Sequence, residues 1–135
     1  MSRNENIIFK HNDFEAEFDF ADADTMESFE LSMARLREDE KELPKTGSAS
    51  VILRSQCKWL RDFFDRIFGD GSGEKICGKK DNFNVCRDAY LHFLDFIEIQ
   101  KQDYISEANE VRGKYGTNRA QRRHPATAPN PNSKG

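Results

Sequence analysis

A membrane-spanning segment is missing from this sequence of 135 residues. No stretch approaches the roughly 20 consecutive apolar residues that a spanning helix needs. A secretory signal is missing too, because the polar start Met1–Asn6 is followed by only three apolar residues before Lys10. The cysteines Cys57, Cys77 and Cys86 are odd in number and include no Cys-x-x-Cys pair. A disulfide framework is therefore not expected, and the sequence predicts a soluble protein of a reducing cytoplasm.

Motifs for binding metal ions are also missing. An EF-hand loop beginning at Asp70 would need glycine where Lys75 stands and glutamate where Asp81 stands, so we interpret the segment as a turn. The cysteine spacings of 20 and nine residues match no zinc pattern. Cys57 and Cys86 instead fit the apolar stripes of helices, where they would be small buried residues.

The three histidines suggest no catalytic arrangement. His11 and His124 fall in segments that we expect to be flexible, and His92 falls one position from an apolar helix stripe. None of them is spaced to activate a serine or cysteine nucleophile, and the sequence contains no phosphate-binding loop. We therefore predict a protein that is not an enzyme and needs no metal or other cofactor.

Charge is distributed unevenly along the chain. Residues 1–43 contain 13 acidic and five basic side chains, and residues 44–111 contain 11 and 10. Residues 112–135 contain six basic side chains and no acidic one. An acidic head and a basic tail predict two surfaces for partners or one surface for self-association, with solubility alone as the other interpretation.

Apolar and acidic residues alternate from Phe14 to Phe20, which predicts a half-buried strand. The apolar residues Ile7–Phe9 would pair with it as a hairpin across His11-Asn12-Asp13. Because an isolated hairpin is only marginally stable, this one must dock on helices or pair with another chain.

Three amphipathic helices are predicted after the hairpin. The first is expected to run from a cap within Asp22–Thr25 to Leu43-Pro44, and the second from Ser48 or Ser50 to Phe68. The third is expected to run from Asp81 or Asn82 to Arg112-Gly113, after a short turn at Glu74–Cys77. Their apolar stripes are Met26, Phe29, Met33, Leu36 and Leu43; Val51, Ile52, Leu53, Cys57, Leu60, Phe63, Phe64, Ile67 and Phe68; and Val85, Cys86, Ala89, Tyr90, Phe93, Leu94, Ile97 and Ile105. The predicted fold is mainly α, with an N-terminal strand or hairpin, in one domain over residues 1–113.

Residues 114–135 are basic and then rich in proline, a composition that predicts a disordered tail. Its cations, among them Arg119, Arg122 and Arg123, could neutralise phosphates of a nucleic acid. However, Tyr115 is the only aromatic residue among them, and the rest of the chain is acidic. Docking of this arm on an acidic protein surface is the alternative, and nucleic acid is not expected to be the main partner.

Several of these features together resemble a family of small phage proteins. They are the alternating acidic strand, the aromatic helix ending Cys57-Lys-Trp-Leu-Arg-Asp-Phe-Phe-Asp-Arg-Ile-Phe-Gly69, the Gly-rich turn and the helix around Asn84-Val-Cys-Arg-Asp-Ala-Tyr-Leu-His-Phe-Leu94. The segment Tyr115-Gly-Thr-Asn-Arg-Ala-Gln-Arg-Arg123 is similar to the ending of phage tail assembly chaperones. The resemblance spans roughly residues 7–123 and points to the tail modules of long-tailed phages of Gram-positive bacteria.

The resemblance implies a binding role in the host cytoplasm. Such chaperones coat the long tape-measure protein, keep it soluble and bring tail-tube subunits to it. Many are made in two lengths through a frameshift, and this chain would be the short form. The rival interpretations are a small nucleic-acid-associated regulator that uses the basic arm and a structural tail component that stays in the finished particle.

The candidate contact residues are aromatic side chains and the cations of the tail. They are Phe14, Phe18, Phe20, Trp59, Phe63, Phe64, Arg119, Arg122 and Arg123. Plain core packing is the alternative for the aromatic ones and is favoured for Phe63 and Phe64. Trp59 lies one position off the main stripe of its helix, so it is the residue most expected to be an exposed anchor.

Overall fold

The computed structural model describes residues 6–123, with side chains as far as Gly113. In this range a two-stranded antiparallel hairpin is followed by four helices. The strands are β1, Ile8–His11, and β2, Phe14–Glu17; the helices are α1, Ala23–Glu40, α2, Ala49–Phe68, α3, Ser72–Cys77, and α4, Phe83–Arg123. The predicted class, mainly α with an N-terminal hairpin, is confirmed. None of the described helices combines the length and the apolar character needed to cross a bilayer.

The hairpin turns at Asn12-Asp13, where Asn12 adopts a left-handed backbone with φ of 54°. The strands pair Phe9 with Ala16 and His11 with Phe14, so these side chains share one face of the hairpin. The second strand was expected to reach Phe20 but ends at Glu17. The chain turns away there because Asp19 accepts hydrogen bonds from Ala21 and Asp22, which replace strand pairing.

The predicted helix starts are confirmed at three caps. Asp22 accepts a hydrogen bond from the backbone N–H of Thr25 at the start of α1, Ser48 precedes α2, and Asn82 accepts from Asn84 at the start of α4. The segment Glu74–Cys77, predicted as a turn, belongs instead to the short helix α3.

Helix α3 packs closely on α2 at Gly73. A Cβ atom at this position would lie 2.2 Å from the backbone oxygen of Arg61, so only glycine allows this approach. The Gly73 N–H donates to Asp65 Oδ1 at 2.7 Å, which fixes α3 to the last turns of α2.

The core is built largely from phenylalanine. All eleven phenylalanines are buried or packed against the buried cluster. Phe93 of α4 lies at its centre, with ring centroids at 5.1 Å from Phe9, 5.2 Å from Phe18 and 5.6 Å from Phe64. These edge-to-face contacts join the hairpin and α2 to α4, so most members of each predicted apolar stripe do meet in one core. The stripes are wrong at four positions, because Val51, Leu53, Val85 and Ile105 are exposed.

The chain divides into two compact units, Met1–Gln100 and Lys101–Gly135. The domain boundary predicted after residue 113 falls within α4, which continues to Arg123. This corrects the predicted helix end near Arg112-Gly113: residues 114–123, placed by the sequence in the tail, have helical backbone. Each glycine costs a helix only about 1 kcal/mol relative to alanine, which strong helix formers nearby can offset. The disorder predicted for residues 124–135 concerns a segment outside the described residues.

Candidate protein-binding surfaces

Three of the six aromatic residues predicted as contacts lie inside the protein. Phe18 is only 2% exposed, and Phe63 and Phe64 are fully buried, as the core-packing interpretation of the last two predicts. Phe14 and Phe20 are partly buried against the same core. In this conformation the three buried rings are not accessible to a partner, and their proposed role in binding stays a prediction.

Trp59 is half-buried, which corrects the expectation that it is an exposed anchor. Its indole Nε1–H donates to the backbone oxygen of Leu36 at 2.8 Å, so the ring fastens α2 to α1. One edge still borders a groove of about 230 Å³ near Leu43 and Pro44. A position one step off a helix stripe can thus pack against a neighbouring helix instead of facing solvent.

The predicted cationic contacts lie near the end of α4. Arg119, Arg122 and Arg123 belong to its last turns, and their side chains are outside the described part of the chain. Residues 112–123 carry five basic and no acidic side chains. Their role in binding a partner also stays a prediction.

Exposed apolar side chains are the feature that the sequence analysis missed. The largest exposures are 65% for Leu31, 63% for Ile99 and 60% for Val111. The remaining members of this set are Val51, Leu53, Val85, Leu91, Tyr104 and Ile105. Four of them belong to none of the predicted apolar stripes: Leu31, Leu91, Ile99 and Val111. An apolar residue of a helix that lies outside its apolar stripe is the sequence signal that could have identified them.

Six of these nine exposed residues lie on α4, and the other three lie on α1 and α2. Leu91 and Ile99 are eight residues apart, so they lie on neighbouring parts of one helix surface in the first unit. In the second unit, Tyr104 and Val111 are seven residues apart and share a face. On α1, Leu31 borders a groove of about 570 Å³. Single exposed leucines are ordinary, but repeated ones on a charged helix indicate a surface for association.

The three cysteines converge beneath the loop between α3 and α4. Cys86 lies close enough to both Cys57 and Cys77 for each of them to affect its pKa, although no sequence spacing suggested it. Burial raises the pKa of the Cys57 thiol to about 12, and a hydrogen bond with Cys77 raises the pKa of Cys86. The pKa of Cys77 is lowered, because Cys86 stabilises its thiolate by a hydrogen bond. Cys57 and Cys86 are confirmed as buried small residues.

Arg61 covers this thiol cluster and holds the adjoining loop. Its guanidinium donates to the backbone oxygens of Gly78 and Lys80 and to Asp81 Oδ1, at 3.0, 2.7 and 2.7 Å. Among the described side chains, no group of three or more His, Cys, Asp or Glu is placed to hold a metal ion. The cluster is therefore a buried set of thiols closed by an arginine-bound loop.

Two histidines also meet, contrary to the expectation that His11 lies in a flexible segment. His11 belongs to β1, and its Nδ1 lies 2.9 Å from Nδ1 of His92 on α4. Burial lowers the pKa of His11 and the neighbouring His92 lowers it further, while Asp88 opposes both effects. The two residues are 81 positions apart, so spacing alone could not pair them.

Comparison with known proteins gives a family but no described relative. No curated protein and no solved structure matches the chain. Residues 12–126 match the model of a family of unknown function, DUF6673. The match covers β2 and the four described helices but leaves out β1 and, with it, His11. The chain therefore belongs to this family.

Proposed function

We propose that the protein is a phage tail assembly chaperone. In this role it binds the tape-measure protein in the host cytoplasm, helps recruit tail-tube subunits and performs no catalysis. The observation that carries the proposal is the set of apolar side chains exposed on α4, headed by Leu91 and Ile99. The resemblance of the aromatic helices and of the segment Tyr115–Arg123 to such chaperones supports the choice of client.

The physical basis of the proposed binding is burial of this exposed apolar surface. Covering one leucine or isoleucine side chain contributes about 1.5–3 kcal/mol, so a few such residues can hold an apolar segment of a client. The acidic residues of the first third of the chain keep such a protein soluble while its apolar residues are exposed. We therefore propose that the client binds around Leu91 and Ile99 of α4, while contact roles for Phe18, Phe63 and Phe64 stay predictions.

Co-expression with the tape-measure protein encoded by the same phage tests the proposal. We expect the chain to keep the tape-measure protein in the soluble fraction and to co-purify with it. The double variant Leu91→Gln/Ile99→Gln should weaken the complex roughly tenfold or more, since each tenfold corresponds to about 1.4 kcal/mol. A tape-measure protein that stays insoluble and unbound in the presence of the wild-type chain would overturn the proposal.

A matched control separates the α4 surface from general loss of apolar area. Val51 and Leu53 of α2 are also exposed. The variant Val51→Gln/Leu53→Gln makes the same chemical change away from α4, and we expect it to bind the client within about twofold of the wild type, a difference of only ~0.4 kcal/mol. Equal weakening by both pairs would contradict the assignment to α4. Circular dichroism and thermal unfolding of each variant verify that the fold is retained.

A nucleic-acid-associated regulator is the second candidate. It is favoured by residues 112–123, which contain five basic side chains and no acidic one. Deletion of residues 114–135 should abolish its binding to DNA or RNA, whereas the chaperone should still hold its client.

A structural tail component differs from both, because it remains in purified phage particles and is detected there by mass spectrometry. The chaperone should be absent from those particles. Sedimentation velocity over a range of concentrations tests the expected self-association.

A further inference from the structure

The turn end of the hairpin rests on α4 through three stacked or tilted rings. Phe9 lies fully buried, with its ring centroid 5.1 Å from that of His92 and 6.2 Å from that of His11. The centroids of the two imidazoles are 5.1 Å apart. His11 is paired with Phe14 in the hairpin register, so this contact fixes the last pair before the turn.

The bond between the two Nδ1 atoms, 2.9 Å long, depends on protonation. It requires one nitrogen to donate a proton and the other to accept it with a lone pair. Two neutral rings satisfy it, and so does a pair holding one extra proton. When both rings are imidazolium, two N–H groups and two positive charges face each other, and the bond cannot exist.

The surrounding charges are few. Asp88, one turn before His92 on α4, is the carboxylate that acts on His11 and favours its protonation. On the hairpin, Lys10 and Glu15 pair with each other at 4.0 Å on the opposite face, and Asp13 lies in the turn. Helix α2 contributes Phe68, an uncharged ring, against Phe9. One carboxylate cannot neutralise two imidazolium ions held this close.

We infer that His11 and His92 form a pH-operated latch, which holds the turn end of the hairpin on α4 and opens when both rings are protonated. The opposite end of the hairpin has a separate attachment, because Gln100 of α4 binds the backbone oxygens of Asn6 and Phe18. Opening therefore releases His11 and the turn residues Asn12-Asp13. Phe14 stays docked through its ring contact with Phe68 of α2, at 5.3 Å between centroids, and so does the opposite end of the hairpin. The latch operates without any client and does not depend on the proposed function.

The direction of the pH effect follows from proton uptake. His11 of the unfolded chain binds a proton near pH 6.5, whereas in the native protein burial and the neighbouring His92 lower its pKa. The unfolded state therefore holds more protons below about pH 6.5. Stability from the latch is complete above that pH and is lost as the pH falls.

Histidine NMR titration and amide hydrogen exchange test the latch in the full chain. We expect the imidazole of His11 to titrate with a midpoint below the ordinary value of 6.5. Protection of the amides next to the turn should fall roughly tenfold, equivalent to ~1.4 kcal/mol, between pH 7.5 and 5. The Phe20 amide, which donates to Gln100 Oε1 at 2.6 Å, should keep its protection over the same range.

Two variants make the result specific. His11→Phe keeps an aromatic ring at the contact but removes the titrating nitrogens, so its turn protection should not change with pH. His124→Gln alters a histidine outside the described residues; it assigns the third resonance and should leave the effect intact. Titration of His11 at the ordinary midpoint, or pH-independent turn protection in the wild type, would overturn the inference.

Discussion

Gln100 fastens the N-terminal hairpin to α4 by donating its Nε2 to the backbone oxygen of Phe18 at 2.7 Å. The same amide donates to the oxygen of Asn6 at 2.6 Å and accepts from the N–H of Phe20 at 2.6 Å. One buried side chain thereby satisfies three backbone groups, on both sides of the hairpin. A single residue of α4 thus supplies all three of these polar attachments of the hairpin.

Replacing Gln100 by leucine should destabilise the protein by about 2–4 kcal/mol. Each buried backbone group left without a partner costs about 1–3 kcal/mol, and the hairpin can relax to recover part of that. Urea denaturation measures the loss, with Lys101→Leu as the control for adding a leucine to the same helix at an exposed position. A Gln100→Leu protein as stable as the wild type would show that water replaces the three bonds.

Phe93 should be the most costly phenylalanine to truncate. Its ring contacts the rings of Phe9 and Phe18 from the hairpin and Phe64 from α2. Phe93→Ala should lower the free energy of unfolding by about 3–5 kcal/mol through the lost burial and the cavity that remains. Leu91→Ala, on the exposed face of the same helix, should change it by less than about 0.5 kcal/mol. Similar losses for the two variants in thermal or urea unfolding would contradict the central position of Phe93.

Gly73→Ala should be severely destabilising, because the added Cβ would meet the backbone of Arg61 at 2.2 Å and backbone cannot move aside as a side chain can. We expect a loss of about 3 kcal/mol or more, at the upper end of overpacking costs. Gly71→Ala tests the alternative cause: its φ is +91° and the space around it is open, so its cost is backbone strain of about 1 kcal/mol. Comparable urea midpoints for the two variants would rule out the close approach of α3 to α2.

The cysteine thiols should resist modification in the folded protein. With Cys57, Cys77 and Cys86 all buried, reaction with a disulfide reagent at pH 8 should be at least roughly 100-fold slower than in urea. Cys77 should react first, because its pKa is lowered while burial raises the pKa of Cys57 to about 12. Ala34→Cys places a thiol on the exposed surface of α1 and should add one rapidly reacting equivalent. Rapid reaction of all three native thiols would show that the loop held by Arg61 opens readily.

The helices were predictable because their determinants are local. Asp22 and Asn82 cap helices with their side chains, and Ser48 precedes α2, each among the positions that the sequence offered. Gly69 ends α2 as expected. The course of α4 beyond Gly113 was not predictable in this way, since glycine and mixed polar residues give only weak local preferences. Spacing likewise gave the stripes but could not decide whether Trp59, one step off its stripe, would face solvent or α1.

The candidate sites depend on pairs that are distant in sequence. His11 with His92, and Cys57 with Cys86, meet only because α2, α4 and the hairpin surround a common core. Periodicity within one segment contains no information on which segments will touch. The exposure of Leu31 and Ile99 could not be predicted for a related reason. The apolar stripe of a helix indicates which side chains are buried, but it does not show whether an apolar side chain outside the stripe is covered by another segment.

The attachment of the hairpin through Gln100 has a consequence for synthesis on the ribosome. Phe18 and Gln100 are separated by 82 residues, so the hairpin cannot attach to α4 until translation has passed α1, α2, α3 and the first 18 of the 41 residues of α4. Pairing over such a distance carries a loop-closure cost that slows folding. During that interval the apolar face of the hairpin, with Phe9 and Phe18, is open to other chains. Correct folding of the N-terminus must therefore be among the last events, and truncation before Gln100 should leave an aggregation-prone nascent chain.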